Sequence, residues 1–435
     1  MKIGFVSLPL YGHLNPMTTL ARRLQSRGND VVFIGVPDVE PFARAAGLFF
    51  VPYCEKEYPL GTITDEWANV SKLHGQEVLN YTFQHLSPGL TEAALKHLAK
   101  TIADAGVDAL VLDTAHFFIE LVPMSLGIPY VHVWNVLNID FSGTTPSCLL
   151  PGMPDITPEG LARNIEGLEW MGSLLAPIAQ LAVPFAEKAG LQIDWSDPSA
   201  TTSKLAVVSQ TPKELDFPGI PWPPQFHHTG PFHDNKGREP VAFPWERLNG
   251  KPLVYASMGT LVNGLDDVYK TILAVFRSRP EFQLVLSIGR NVKPESLGPI
   301  PLDTILVPSA PQIELLRRAT LCITHAGMNT TLESLAQGVP MVAIPIGYDQ
   351  PGAAARIAYH GAGELIELES LSVAVLAEAV HKVQTIPSYR AKARYFQEVI
   401  MNTHGLDLAS KIIEKAFACV ESSEAAGEFA GLSRS

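Results

Sequence analysis

The chain is 435 residues long, room for two or three domains at about 100 to 200 residues each, every one with its own core. Apolar residues make up 46% and charged residues 17%, a folded composition that excludes disorder over most of the length. With 32 Lys and Arg against 44 Asp and Glu the formal net charge is -12, which lacks the basic footprint a nucleic acid partner requires.

In chain order, short β-branched runs alternate with helical patterns, the sequence form of parallel sheets covered on both faces. Strands are predicted at Ile3–Ser7, Val31–Gly35, Leu48–Val51, Ala109–Leu112 and Tyr130–Trp134. The plan repeats at Leu253–Ser257, Gln283–Ile288, Thr304–Val307, Leu321–Thr324 and Met341–Ile344. Residues 139–203 read as a long insertion of short helical patches, and the proline-rich stretch 211–252, with a charged run at 234–239, as an irregular connector. The predicted division is a Rossmann-like domain over 1–220, a linker over 221–250 and a second Rossmann-like domain over 251–385. Helices at 386–420 then return towards the first domain, and 421–435 form a frayed tail. The four cysteines, Cys54, Cys148, Cys322 and Cys419, have no C-x-x-C spacing and are expected to be ordinary thiols of a reducing compartment. No run reaches about 18 uninterrupted apolar residues, and the N-terminus is unlike a secretory apolar region. A cytoplasmic protein without a membrane span is expected.

A doubly wound sheet places ligands beyond the carboxyl ends of its strands, where the strand order reverses. That rule brings the loop holding Gly12 and His13 opposite Asp113 at the end of the fourth strand. A His–Asp pair there suits a general base, although a helix cap and a strand end would use the same residue types. In the second half the rule joins Ser257, Gly259 and Thr260 to His325, Gly327, Met328, Asn329, Thr330 and Glu333. A helix starting near Asn329 would aim free N–H groups at a phosphate or diphosphate, and a plain N-cap is the competing reading. Glu333 is placed to accept from ribose hydroxyls or merely to complement the helix dipole. Asp349 and Gln350, after the fifth strand, match vicinal sugar hydroxyls in their donors and acceptors, though the run 347–351 alone would read as a turn.

The segment running from Ala310-Pro311-Gln312 through His325, Gly327, Asn329, Glu333 and Gly338-Val339-Pro340 to Asp349-Gln350 resembles the signature box of the UDP-dependent glycosyltransferases of glycosyltransferase family 1. The Gly12-His13 and Pro16 loop is similar to that family's catalytic loop. The resemblance implies a GT-B fold, an acceptor-binding first domain, a donor-binding second domain and an inverting transfer. It assigns His13 as base and Asp113 as its partner, and Gly12, Ser257, Gly259, Thr260, His325, Gly327, Met328, Asn329 and Thr330 to the diphosphate side. Gln312 would lie beside the nucleoside, Glu333 at the ribose, and Asp349 with Gln350 at the sugar, a pair that in the family accompanies UDP-glucose.

Ser309 stands where plant members carry a tryptophan that stacks on uracil, and Met328 replaces a frequent tryptophan. Pro351-Gly352-Ala353-Ala354 is closer to bacterial carotenoid and macrolide glucosyltransferases. The absence of a D-x-D motif implies no metal requirement, so the only co-substrate expected is a UDP-sugar. Trp67, Tyr81, Phe117, Phe118, Trp134 and Phe141 lie near strand ends or in loops of the first half and are candidates for an apolar small-molecule acceptor, with core packing the alternative. Competing functions on such a fold are a nucleotide-sugar epimerase and a non-catalytic sugar-nucleotide sensor. A nicotinamide oxidoreductase is disfavoured because no G-x-G-x-x-G follows either first strand.

Overall fold

The computed structural model describes residues 1–234 and 240–425. Two parallel sheets form its two lobes. The first contains β1 (Lys2–Val6), β2 (Asp30–Gly35), β3 (Phe49–Pro52), β4 (Ala109–Asp113), β5 (Tyr130–Trp134), β6 (Val207–Ser209) and β7 (Phe226–His228) in the order 3-2-1-4-5-6-7. The second contains β8 (Leu253–Ser257), β9 (Gln283–Ser287), β10 (Thr304–Val307), β11 (Ala319–Thr324), β12 (Met341–Ala343) and β13 (Gly363–Leu365) in the order 10-9-8-11-12-13. The central strands β1, β4 and β8 are buried along nearly their whole length, as expected of parallel sheets covered by helices on both faces. The order reverses between β1 and β4 and between β8 and β11, and both reversals open towards the space between the lobes.

Two expectations are corrected. The stretch 139–203 holds one continuous helix, Pro158–Lys188, instead of short patches. Thr157 caps it by accepting from the Gly160 N–H at 3.1 Å, and Pro158 opens it where a missing N–H costs nothing. Its buried residues Met171, Leu174, Ile178, Ala182 and Ala186 recur at helical spacing on the side that packs against the helix Ser87–Ala105. Pro177 and Pro184 lie inside it, which hid its continuity. By length and composition this helix also matches a membrane span, with a mean hydropathy of 1.2 over its most apolar stretch and 22% of that stretch buried. The connector, second, is not wholly irregular, because β7 falls within it and extends the first sheet. Most of its charged run, 235–239, lies outside the described residues.

The lobes touch on both flanks of the cleft. On one flank Gly75 N–H donates to Ile346 O at 2.7 Å and Gly264 N–H to Ser71 O at 2.7 Å. On the other, Gly352 N–H donates to Cys148 O at 3.1 Å, and Arg356 pairs with Asp216 at 2.7 Å with both side chains buried. The C-terminal helix Gly405–Ala425 crosses back to the helix Tyr11–Ser26, joined by Arg23–Asp407 and Arg27–Glu414 pairs. Residues 421–425, read from sequence as frayed tail, continue that helix, and 426–435 lie outside the described residues.

Candidate active site

Val6 pairs with Leu112 in the β1–β4 ladder, so Ser7 and Asp113 leave the sheet side by side. Asp113 is 1% exposed and accepts from Ser7 Oγ at 2.8 Å, Leu8 N–H at 3.2 Å and Ala115 N–H at 3.1 Å. Those donors fix the carboxylate, and its Oδ2 meets His13 Nδ1 at 2.9 Å. Burial disfavours charge on both partners, but their mutual attraction outweighs it. His13 is raised above 6.5 by Asp113, with Asp349 and Asn135 adding to the effect, and Asp113 is held down at about 2. With Nδ1–H committed to Asp113, the lone pair sits on Nε2, as a proton acceptor requires.

His13 lies in the first turn of the helix Tyr11–Ser26, which also contains Pro16. Proline has no N–H, so the carbonyl four residues earlier, that of Gly12, loses its helical partner. It accepts from Asn329 Nδ2 of the other lobe at 2.7 Å. The turn that carries His13 and the second lobe are thereby linked.

At the second reversal Ser257 pairs with Thr324, so the loops 258–260 and 325–327 emerge together. Gly259 has φ +76°, and a Cβ on either Gly259 or Gly327 would lie 2.5 Å from His325 Nε2. Only glycine at both positions lets the ring sit between the loops. Burial lowers His325 to about 4, so near neutral pH it offers an N–H without a charge. The helix Met328–Ala336 starts directly after, with Gly327 at its N-cap and no side chain capping it, which leaves first-turn N–H groups for an anion.

Behind that turn Gln312 is fully engaged. Its Nε2 donates to Glu333 at 2.6 Å and to Thr330 Oγ1 at 3.2 Å, while its Oε1 accepts from Tyr255 OH at 3.1 Å. Glu333 is 2% exposed and faces His233 at 3.9 Å. Asp349 accepts the Leu137 N–H of the first lobe at 2.9 Å, and burial raises its pKa. Gln350 uses Oε1 to hold the Ile346 and Gly347 N–H groups at 2.8 and 3.0 Å, so its amide nitrogen is the end not engaged in that loop. Thr260 is exposed and Met328 buried at the same corner.

Of the acceptor candidates, Trp67 and Trp134 are 7% and 4% exposed and belong to the cores of the first lobe and of the lobe interface. Tyr81, Phe117, Phe118 and Phe141 are half-buried. Phe117 packs on Phe83 and Phe118 on Trp195, two rings the sequence did not single out. Sequence reasoning also missed Asn135, Leu137 and Gln210. Asn135 is 1% exposed beside the His13–Asp113 pair and favours both ionised forms, although neither of its polar atoms completes a well-aligned hydrogen bond. Only their place after β5 and β6, at the same sheet edge as Asp113, could have pointed to them.

Residues 198–409 match the family model described as UDP-glucoronosyl and UDP-glucosyl transferase. A zeaxanthin glucosyltransferase of Pantoea ananas is 27% identical over 425 residues, covering 94% of this chain and 94% of that protein. The NDP-glycosyltransferase YjiC of Bacillus subtilis (strain 168) is 26% identical, covering 95% and 96%. Over residues 198–409 the chain carries the domain of glycosyltransferase family 1. This UDP-glycosyltransferase has the GT-B fold, superposing on the solved glycotransferase of kitacinnamycin with a TM-score of 0.73 at 24% identity, over 95% of this chain and 98% of that one. It is a transferase that moves sugars to small-molecule acceptors. That activity sets aside the epimerase and sensor readings.

Proposed function

We propose that this enzyme transfers glucose from UDP-glucose to a hydroxyl of an apolar small molecule by a single inverting displacement, with His13 as general base. The observation that carries the reading is His13 Nδ1 bound to the buried Asp113 at 2.9 Å in a turn tied to the second lobe through Gly12 and Asn329. As the acceptor oxygen attacks the anomeric carbon, its proton passes to His13 Nε2 while the bond to the diphosphate breaks. The charge that develops on the leaving UDP meets the His325 N–H and the start of the helix Met328–Ala336, donors in place before the reaction. A base supplied from one face and a leaving group held on the other favour one displacement and a β-glycoside from an α-linked donor.

Glucose is preferred because Asp349 and the free amide end of Gln350 stand together beyond β12, and the Pantoea relative is named for glucosyl transfer. Neutralisation by helix and imidazole donors, with no D-x-D in the chain, supports transfer without a divalent ion. The test is a screen of UDP-glucose and dTDP-glucose against phenolic, terpenoid and macrolide alcohols with EDTA present. The expected result is acceptor-dependent UDP release and a β-linked product by its anomeric proton coupling. An α-linked product, or loss of activity in EDTA restored by a divalent ion, would overturn the mechanism.

A further inference from the structure

Gln210 follows β6 directly and its side chain is fully buried where the two lobes meet. Its backbone N–H donates to Trp134 O at 3.1 Å, which holds it against the end of β5. Its Nε2 donates to the Asn135 carbonyl and, at 3.1 Å, to Asn329 Oδ1. Asn329 in turn donates through Nδ2 to Gly12 O at 2.7 Å. The result is a relay from the strand end beside the His13–Asp113 pair, through two side-chain amides, to the carbonyl that Pro16 leaves open in the turn bearing His13.

An amide that accepts at its oxygen and donates at its nitrogen passes orientation from one neighbour to the next. Without a donor on Oδ1 the Asn329 amide can flip and present oxygen to Gly12 O, which repels it. Packing does not explain the glutamine, because Gln210 Oε1 is buried with no hydrogen-bond partner among the described residues. What holds the amide is its two donated bonds, and an apolar side chain there would leave Asn135 O and Asn329 Oδ1 without that donor.

We propose that Gln210 is a positioning residue: by fixing the Asn329 amide it transmits the placement of the diphosphate-binding helix to the turn that carries the base. The inference rests on the donor and base assignments proposed above. It is tested with Gln210→Met, Asn329→Ala and the double variant, measuring thermal midpoint, UDP affinity by calorimetry, and kcat and acceptor KM. Gln210→Met is expected to lower the midpoint by only a few degrees, the cost of acceptors left without their donor, and to hold UDP affinity within about threefold of wild type, since Gln210 reaches the nucleotide only through Asn329. Its kcat is expected to fall roughly 10- to 100-fold, as for a small misplacement of a reacting group. The double variant is expected to be no slower than Asn329→Ala alone, whereas a general packing defect would multiply the two losses.

Wild-type kcat in Gln210→Met, or multiplicative losses in the double variant, would overturn the inference and leave the donor assignment standing. Unchanged UDP affinity and kcat in Asn329→Ala would sink both. Should Gln210→Met fail to fold, Gln210→Glu keeps the shape but sets a carboxylate against the Asn329 and Asn135 oxygens. It is expected to lose kcat likewise, and full activity there would refute the relay.

Discussion

At His13 burial favours the neutral imidazole, and Asp113, 2.9 Å away and itself held at about 2, favours the protonated one and prevails. The base proposed here must be neutral to act, so the raised pKa of His13 is expected to put the acid limb of kcat/KM above pH 6.5, with activity falling as pH drops through it. Asp113→Asn removes the charge while keeping the shape. Its acid limb is expected to move to lower pH, and kcat to fall by about 10²-fold or more because the imidazole is no longer held with its lone pair on Nε2. An acid limb that stays in place in that variant would remove Asp113 from the base's environment. His325, neutral because it is buried, should contribute no titration between pH 5 and 9, its own value lying at about 4.

Among the elements, the helix Tyr11–Ser26 gives up stability for the site. Pro16 in its interior removes one backbone hydrogen bond, typically a cost of about 3 kcal/mol, and frees Gly12 O for the other lobe. Pro16→Ala is expected to raise the thermal midpoint while lowering kcat, because the restored N–H competes with Asn329 for that carbonyl. A lower midpoint, or an unchanged kcat, would contradict this. The His13 loop, the 325–333 helix start and the strands of at least four residues that frame them could be read from sequence because each is a local pattern of apolar runs, glycines and helix-start residues. The strands β6, β7 and β13 have three residues each, too short to show a period, and β7 sits among prolines; β12 is as short but legible because the run 341–344 is wholly apolar. Gln210 could not be found that way, since its partners Asn135 and Asn329 lie 75 and 119 residues from it along the chain. Asn135 matters through its place beside the His13–Asp113 pair, and Leu137 through its N–H on Asp349 of the other lobe, neighbours far from them along the chain.

Across the whole molecule, the groups proposed to react come from two lobes and depend on how those lobes are held together. Arg356 donates through Nε and Nη2 to Asp216 at 2.9 and 2.7 Å and stacks 4.1 Å over the Phe217 ring, all out of solvent. Asp216→Ala leaves a buried guanidinium without its counter-charge and is expected to destabilise the fold by about 3–5 kcal/mol in urea unfolding. A loss below about 1 kcal/mol, the size of an exposed pair, would mean that water reaches the guanidinium. The union of lobes ties the turn that carries His13 to the helix start at Asn329, and the most direct test separates the roles proposed for them in a single sample of His13→Ala. UDP affinity by calorimetry should match wild type, while glucosyl transfer to a phenolic acceptor should drop by about 10²- to 10⁴-fold. Transfer at the wild-type rate with UDP bound normally would contradict the account.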